Sequence, residues 1–170
     1  MTKEFIRKPT IFPLETELPW NIVDNLCTII SHIIETLDDS YKVNDGVAVH
    51  ETATIDHNVT IKAPAIISAD CFVGSNSYLR GGVFLAPGAK VGISCEVKTS
   101  VLLEGCAIAH FNFVGDSIIG HDVNIEAGAN AFQRDQPNAE THFVPSGHFA
   151  LESHHTEIAR LIKEFLKRVL

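Results

Sequence analysis

One feature constrains this chain more than any other: a six-residue beat that runs for some sixty residues. Stepping by six from Val49 gives Ile55, Ile61, Ile67, Val73, Leu79, Leu85, Val91, Val97, Leu103 and Ala109, all aliphatic. Four residues after each stands a second column: Ala53, Val59, Ala65, Cys71, Ser77, Val83, Ala89, Cys95, Val101, Ala107 and Phe113. Its members are small or β-branched until the last. Neither the helical period of 3.6 nor strand alternation keeps two such columns clean over that length. Turn formers fall between them, among them Pro64, Gly74, Gly81, Gly82, Pro87, Gly88, Gly92 and Gly105. A hexad repeat of this kind specifies a β-solenoid, in which each hexad forms one short strand and one corner.

The flanks carry a different period. Residues 19–38 set Trp20, Val23, Leu26, Ile30, Ile33 and Leu37 near one helical face, with Pro19 suited to the first turn. At the other end Ile158, Leu161, Ile162, Phe165, Leu166 and Val169 form a stripe, followed through by Lys167 and Arg168 at the C-terminal end of the helix. The expected organisation is an N-terminal extension over 1–46 with a helix at about 19–38, a β-helix over 47–131, a loop over 132–152 and a helix over 153–170. Helices beside a solenoid cap or brace its exposed rungs and edges. A net charge of −8 argues against general nucleic-acid and anionic-membrane binding, which need a basic face, and leaves room for a local basic site for a small anion. The four cysteines, Cys27, Cys71, Cys95 and Cys106, show neither CxxC nor metal-ligand spacing, and read as free thiols of a reducing compartment. The opening MTKEFIRKPTIFPLE has no apolar h-region, and no run approaches the roughly 18 apolar residues of a spanning helix. A cytoplasmic protein is expected.

The [LIV]-x-x-x-[small]-x pattern resembles the β-helix of hexapeptide acyltransferases, whose three hexads per coil would stack residues eighteen apart at about 4.8 Å. Arg80 and Lys98 are so spaced, each following an inward aliphatic, and should project outward together. Two stacked cations repel unless an anion or a carboxylate lies beside them. They therefore form either a clamp for a phosphate or carboxylate or a solvated pair. His110 holds the corresponding place after Ala109. The next aliphatic–glycine start, Ile119-Gly120, comes ten residues after Ala109, so the beat reads as having gained four residues. An insertion there would bulge from a corner beside His110, where solenoids build binding sites.

The run from Arg80 through CEVKTSVLLEGCAIAHFNFVGDSIIGHDVNIEAGAN resembles a known pattern. An Arg, an E-x-K eighteen residues on, A-G-H-x-x-Y-x-G-D-x-x-I-G and V-N-x-G-A-G mark the acetyltransferase β-helix of the bifunctional N-acetylglucosamine-1-phosphate uridyltransferases and of short sugar-nucleotidyltransferase-like β-helix proteins. The likeness covers roughly residues 49–131 and is densest over 80–128. It implies an all-β left-handed parallel β-helix of hexapeptide repeats and an acetyl-CoA-dependent N-acetyltransferase. The acceptor it implies is an amino-sugar phosphate or similar small amine, and the assembly a homotrimer. Position by position, His110 falls on the catalytic base and Arg80 and Lys98 on the residues that bind the sugar phosphate. Asn124 falls on a substrate-binding asparagine, Ala127 on a position lining the acetyl-CoA site, and Gly115 and Asp116 on the loop that shapes the pocket.

The chemistry is coherent, since an amine must lose its proton before attacking a thioester, and a histidine can take it, typically contributing about 10²–10⁴ in rate. Amide or Asn donors would serve the oxyanion. Several positions depart from the pattern. Phe113 replaces a substrate-pocket tyrosine and Glu126 a glycine, Gln133 and Arg134 replace an Asn-Tyr pair, and no further hexads follow Ala131. No Gly-rich G-x-G-T-x-M-like segment of a pyrophosphorylase appears. These departures support the alternative of a catalytically inactive sugar-phosphate or sugar-nucleotide binding β-helix module. A metal-dependent β-helix enzyme like the γ-class carbonic anhydrases would need His110 and His121, whose spacing of eleven does not fit. His148, His154 and His155 lie outside the repeats, and no metal is expected.

Overall fold

The computed structural model describes residues 18–127, 130–132 and 155–169. From Val47 the chain winds into a left-handed parallel β-helix of about four turns. Each coil carries three short strands, so the solenoid has three faces. Face A stacks β3 (Thr54–Ile55), β6 (Phe72–Val73), β8 (Lys90–Val91), β10 (Ala107–Ile108) and β13 (Asn124–Ile125). Face B stacks β4 (Thr60–Ile61), the first half of β7 (Tyr78–Leu85), the first half of β9 (Glu96–Leu102), β11 (Phe113–Gly115) and β14 (Asn130–Phe132). Face C stacks β2 (Val47–His50), β5 (Ala65–Ile67), the second halves of β7 and β9, and β12 (Ile118–Ile119). An antiparallel hairpin partner, β1 (Tyr41–Asn44), opens the sheet beside β2.

The inward residues form one continuous apolar column. Ile67, Val73, Leu79, Leu85, Val91 and Val97 are fully buried, as the six-residue beat requires, with Ala65, Cys71, Ala89 and Cys95 beside them. Small side chains occupy these places because three strands crowd a narrow interior. Beyond Val97 the column continues through Leu102, Ile108, Val114 and Ile119. The steps are five, six, six and five, so the expected rung residues Leu103 and Ala109 are not the inward ones. Leu103 is buried on the outside, in the second apolar cluster.

The register gives the reason. Coils are eighteen residues long through Arg80↔Lys98 and seventeen from Val83↔Ser100 onward, as in Phe113↔Glu96 and Ile118↔Val101. The expected four-residue insertion after Ala109 is therefore absent. A single residue is missing instead, first at the corner of Lys98–Thr99 and again at Gly115–Asp116. Where the earlier corner runs Arg80-Gly81-Gly82, the later ones turn in two residues, with Thr99 at φ 45° and Asp116 at φ 48°. Each shortening moves the inward column back by one, and two of them displace Ile119-Gly120 from the beat in a way that a sequence count reads as a gain.

Face C is covered from outside. α1 (Pro19–Asp24) and α2 (Leu26–Ile34) meet at Asn25, whose φ of −105° and ψ of 11° interrupt the helix. The break rotates the apolar stripe, so Ile22 is fully buried while Trp20 is 57% exposed, against the single-face reading. Ile22, Leu26 and Ile30 pack with Ala48, Ile66, Phe84, Val101 and Leu103. Each large aliphatic or aromatic side chain so buried contributes about 1.5–3 kcal/mol. The helices thus brace a face rather than cap an end. The expected loop over 132–152 lies, after Phe132, outside the described residues. A separate unit carries the amphipathic α3 (His155–Val169), with an i,i+4 ion pair between Arg160 and Glu164 at 2.9 Å.

Candidate functional site

Face B is bounded by two corners, and the residues singled out in the sequence gather along them. At the edge shared with face C, Arg80 pairs in register with Lys98, and Lys98 with Gly115. Ile61 pairs with Leu79, which sets Lys62 below Arg80 in the same column. The sequence reading overlooked Lys62, although the same spacing of eighteen finds it. Stacked cations need counter-charge, and the outward positions supply it to Arg80 and Lys98. The Arg80 guanidinium donates through Nε to Glu96 Oε1 at 2.7 Å, and its Nη2 lies 2.6 Å from the same oxygen. The Lys98 ammonium donates to Asp116 Oδ2 at 2.7 Å. Glu96 stands on the outward side of face B, so its bond draws Arg80 in over that face.

These groups are 21–38% exposed, so the pairs contribute little to stability, about 0–1 kcal/mol each. Their chemical meaning is different. Two of the five guanidinium donors and one of the three ammonium donors are engaged, which leaves N–H groups for an oxyanion at the surface. Phe113 lies between the corners. A Cβ on Gly115 would meet two ring carbons of Phe113, Cε1 and Cζ, at 2.7 Å, so one edge of the ring lies against that glycine, one coil above Lys98.

The opposite edge of face B, shared with face A, carries His110. Ile108 pairs with Val91 below and Ile125 above, which places His110 over Ile93 and under Ala127. His110 is exposed, and its ring makes an edge contact with Phe111 at a centroid separation of 5.4 Å. Gly115 comes five residues after His110, at most about 18 Å of extended chain. The corner beneath is held tightly. Asn112, 3% exposed, donates through Nδ2 to the carbonyls of Ala109 at 2.9 Å and Glu126 at 3.0 Å, which ties this coil to the next. Asn112 has no counterpart in the sequence reading, because corner plugs share no fixed residue type. Cys95 lies under the same corner and donates to the Ala109 carbonyl at 2.9 Å. Burial pushes its thiol pKa upward, so it is a protonated packing group and not a nucleophile partnered to His110.

Asn124 is on face A, in register with Ala107, exposed and donating to Glu126 Oε1 at 2.8 Å. Ala127 shares the His110 corner one coil on. The structure thus gathers His110 and Ala127 on one corner and Arg80, Lys98, Gly115 and Asp116 on the other, with Phe113 between, while Asn124 sits round the edge. Among the described residues no group of three or more His, Cys, Asp or Glu is arranged to hold a metal ion. No described helix is long and apolar enough to cross a membrane. A cavity of about 490 Å³ lies at the foot of the cation column, at the opening of the first coil between Lys42, Asn44, Val49 and Lys62.

No family model matches the chain. Among curated proteins it is 46% identical over 117 residues to a bifunctional sugar-1-phosphate nucleotidylyltransferase/acetyltransferase of Sulfurisphaera tokodaii, a match over 65% of this chain and 29% of that one. It is also 38% identical over 73 residues to the bifunctional protein GlmU of Heliobacterium modesticaldum, over 43% of this chain and 16% of the relative. The chain is similar to a part of these bifunctional enzymes. It spans less than a third of the length of either. Among solved structures, a mutant of GDP-perosamine N-acetyl transferase from Caulobacter crescentus, in complex with CoA and GDP-perosamine, matches at 16% identity with a TM-score of 0.38 over 49% of each chain.

Proposed function

We propose that the chain is an acetyl-CoA-dependent N-acetyltransferase acting on an amino-sugar phosphate or a similar small amine. The observation that carries this reading is the arrangement of face B, with a carboxylate-buffered cation column on one edge and an exposed imidazole on the other. The acetyltransferase named in the Sulfurisphaera tokodaii relative, at 46% identity, supports the choice of acyl transfer. In this reading Arg80 and Lys98 bind the acceptor's phosphate through their remaining donors. Phe113 gives its sugar an apolar floor, and His110 takes a proton from the amine. The amine nitrogen then attacks the thioester carbonyl, the carbon–sulfur bond breaks, and the departing thiolate takes up a proton as CoA–SH. In this reading Asn124 binds the acceptor and Ala127 lines the acetyl-CoA side.

A homotrimer fits the same surface. α1 and α2 cover face C, so a neighbouring β-helix would approach over face A or B and close the site against water. Free thiols and the absence of a described spanning helix support a cytoplasmic setting. The test is thiol release from acetyl-CoA across a panel of hexosamine phosphates, with His110→Ala as the control. Turnover by the native chain and its loss in the variant is the expected result. Undiminished turnover in the variant rejects His110 as base. Binding of the sugar phosphate with no turnover in either selects the inactive binding module, which the buffering of both cations by Glu96 and Asp116 also accommodates.

A further inference from the structure

The residue after His110 occupies a place that its side chain should avoid. At each turn from face A to face B the chain passes through the left-handed region once, at Asn58 (φ 59°), Asn76 (φ 61°), Ser94 (φ 54°) and Phe111 (φ 57°). Asn tolerates this conformation because its short polar side chain bonds locally, whereas a bulky residue there is strained. Phe111 recovers little by burial, since 65% of it is exposed. Its backbone N–H donates to the Ile93 carbonyl at 3.1 Å, which fixes the turn. Its ring meets the His110 imidazole edge to face, at 5.4 Å between centroids and 84° between planes. Ile93, directly below His110, is itself 46% exposed. An apolar frame thus stands around the one exposed histidine of this corner, and it is kept at the expense of backbone strain. Strain of this kind persists where function holds it.

We infer that Phe111 is a positioning residue for His110: its ring restrains the imidazole so that one ring nitrogen faces the attacking amine. The inference rests on His110 being the base of the proposed acetyl transfer. A free imidazole on a corner sweeps several rotamers, and a general base must sit within hydrogen-bond reach of its proton. The edge contact with Phe111, itself held by a rigid turn, removes that freedom. Ile93 completes the wall from below.

The test separates strain from positioning by using the residue the equivalent corners already carry. Phe111→Asn relieves the left-handed strain and should raise Tm by about 2–4 °C. The same variant should lower kcat about tenfold while the KM for acetyl-CoA stays within about twofold, since the donor is not what the ring orients. Phe111→Tyr keeps the ring and should keep wild-type kcat. Independently of turnover, the imidazole proton resonances of His110 should move in Phe111→Asn, where the aromatic ring current is lost, and stay in Phe111→Tyr. Wild-type kcat in Phe111→Asn, or unmoved His110 resonances, overturns the inference. So does an Asn variant that dissociates on size exclusion with His110 unmoved, which would assign the ring to assembly. If the native chain transfers no acetyl group, the proposed function fails, and the resonances still decide whether Phe111 holds His110.

Discussion

Gly92→Ala should damage the site through the backbone of the neighbouring coil, without touching any site side chain. A Cβ at Gly92 would lie 2.7 Å from the carbonyl carbon of Ala109, 2.9 Å from the amide nitrogen of His110 and 2.9 Å from the Ile108 oxygen. All three are backbone atoms, so no rotamer change relieves the contact. Reaching the ordinary 3.4 Å demands a shift of about 0.7 Å in the coil that carries His110, and forced overpacking of this kind costs about 1–3 kcal/mol. The lost flexibility of the unfolded chain returns about 0.4–1 kcal/mol. A domain of this size should then lose a few degrees in Tm, at about 2–4 °C per kcal/mol. Gly74→Ala is the matched control, because its Cβ meets Ile93 N at 2.7 Å and the Gly92 carbonyl carbon at 2.8 Å, the same clash one coil earlier. The two variants should melt alike. Only Gly92→Ala displaces His110 directly, and a misplacement near 1 Å costs on the order of 10² in rate. The comparison is made by scanning calorimetry together with acetyl transfer followed by thiol release. Equal activities in two equally destabilised variants would refute the claim that coil spacing sets the position of His110.

Two further outcomes can be measured. Burial pushes the thiols of Cys71 and Cys106 up to about 11 and about 12 from an ordinary value of 9.0. Because the folded protein holds these protons more tightly than the unfolded chain, stability is fully present below about pH 9 and falls as pH rises toward 11–12. Cys106→Ala should flatten that fall in denaturant titrations at pH 8 and pH 10.5, and an unchanged slope would contradict the assignment. Lys98→Met should raise the KM for a phosphorylated amino sugar by about tenfold or more, the worth of one charged hydrogen bond, and leave the KM of the unphosphorylated amine nearly unchanged. An equal effect on both acceptors would show that Lys98 does not read the phosphate.

The solenoid was legible because its physics is local and repeated. An inward aliphatic every six residues is a demand that each coil makes afresh, so Ile67, Val73, Leu79, Leu85, Val91 and Val97 reveal it together. The stacking of Arg80 on Lys98 followed from the same count. What the count could not reveal was a phase change, since losing one residue at a corner leaves every later hexad locally normal. Leu103 and Ala109 still look like rung residues; only the pairing of Leu102 with Leu85 shows that the column has moved. The break at Asn25 was hidden for a related reason: Trp20 fits the stripe of one continuous helix, and the interruption is a backbone angle rather than a residue type. Partners across coils were equally out of reach. Glu96 and Asp116 meet Arg80 and Lys98 sixteen and eighteen residues apart, and neither is the stacking interval of its coil, which is eighteen for Arg80 and seventeen for Lys98.

The shortened corner and the charge pairing are one event. In the eighteen-residue coil the corner is Arg80-Gly81-Gly82, and both glycines take positive φ, 69° and 89°, so no side chain is available to answer the cation. With one residue removed, the turn must close through a single left-handed position. Thr99 fills it in one coil and Asp116 in the next. Aspartate is among the few residues that enter this region readily, and here the conformation also delivers its carboxylate to Lys98 at 2.7 Å. Coil length therefore decides where a carboxylate can stand beside the cation column. Arg80, whose corner is long, takes its counter-charge from the strand through Glu96 instead. The slip in the beat and the chemistry of the edge have the same cause, which is why the disturbance in the repeat lies beside the residues expected to bind the phosphate.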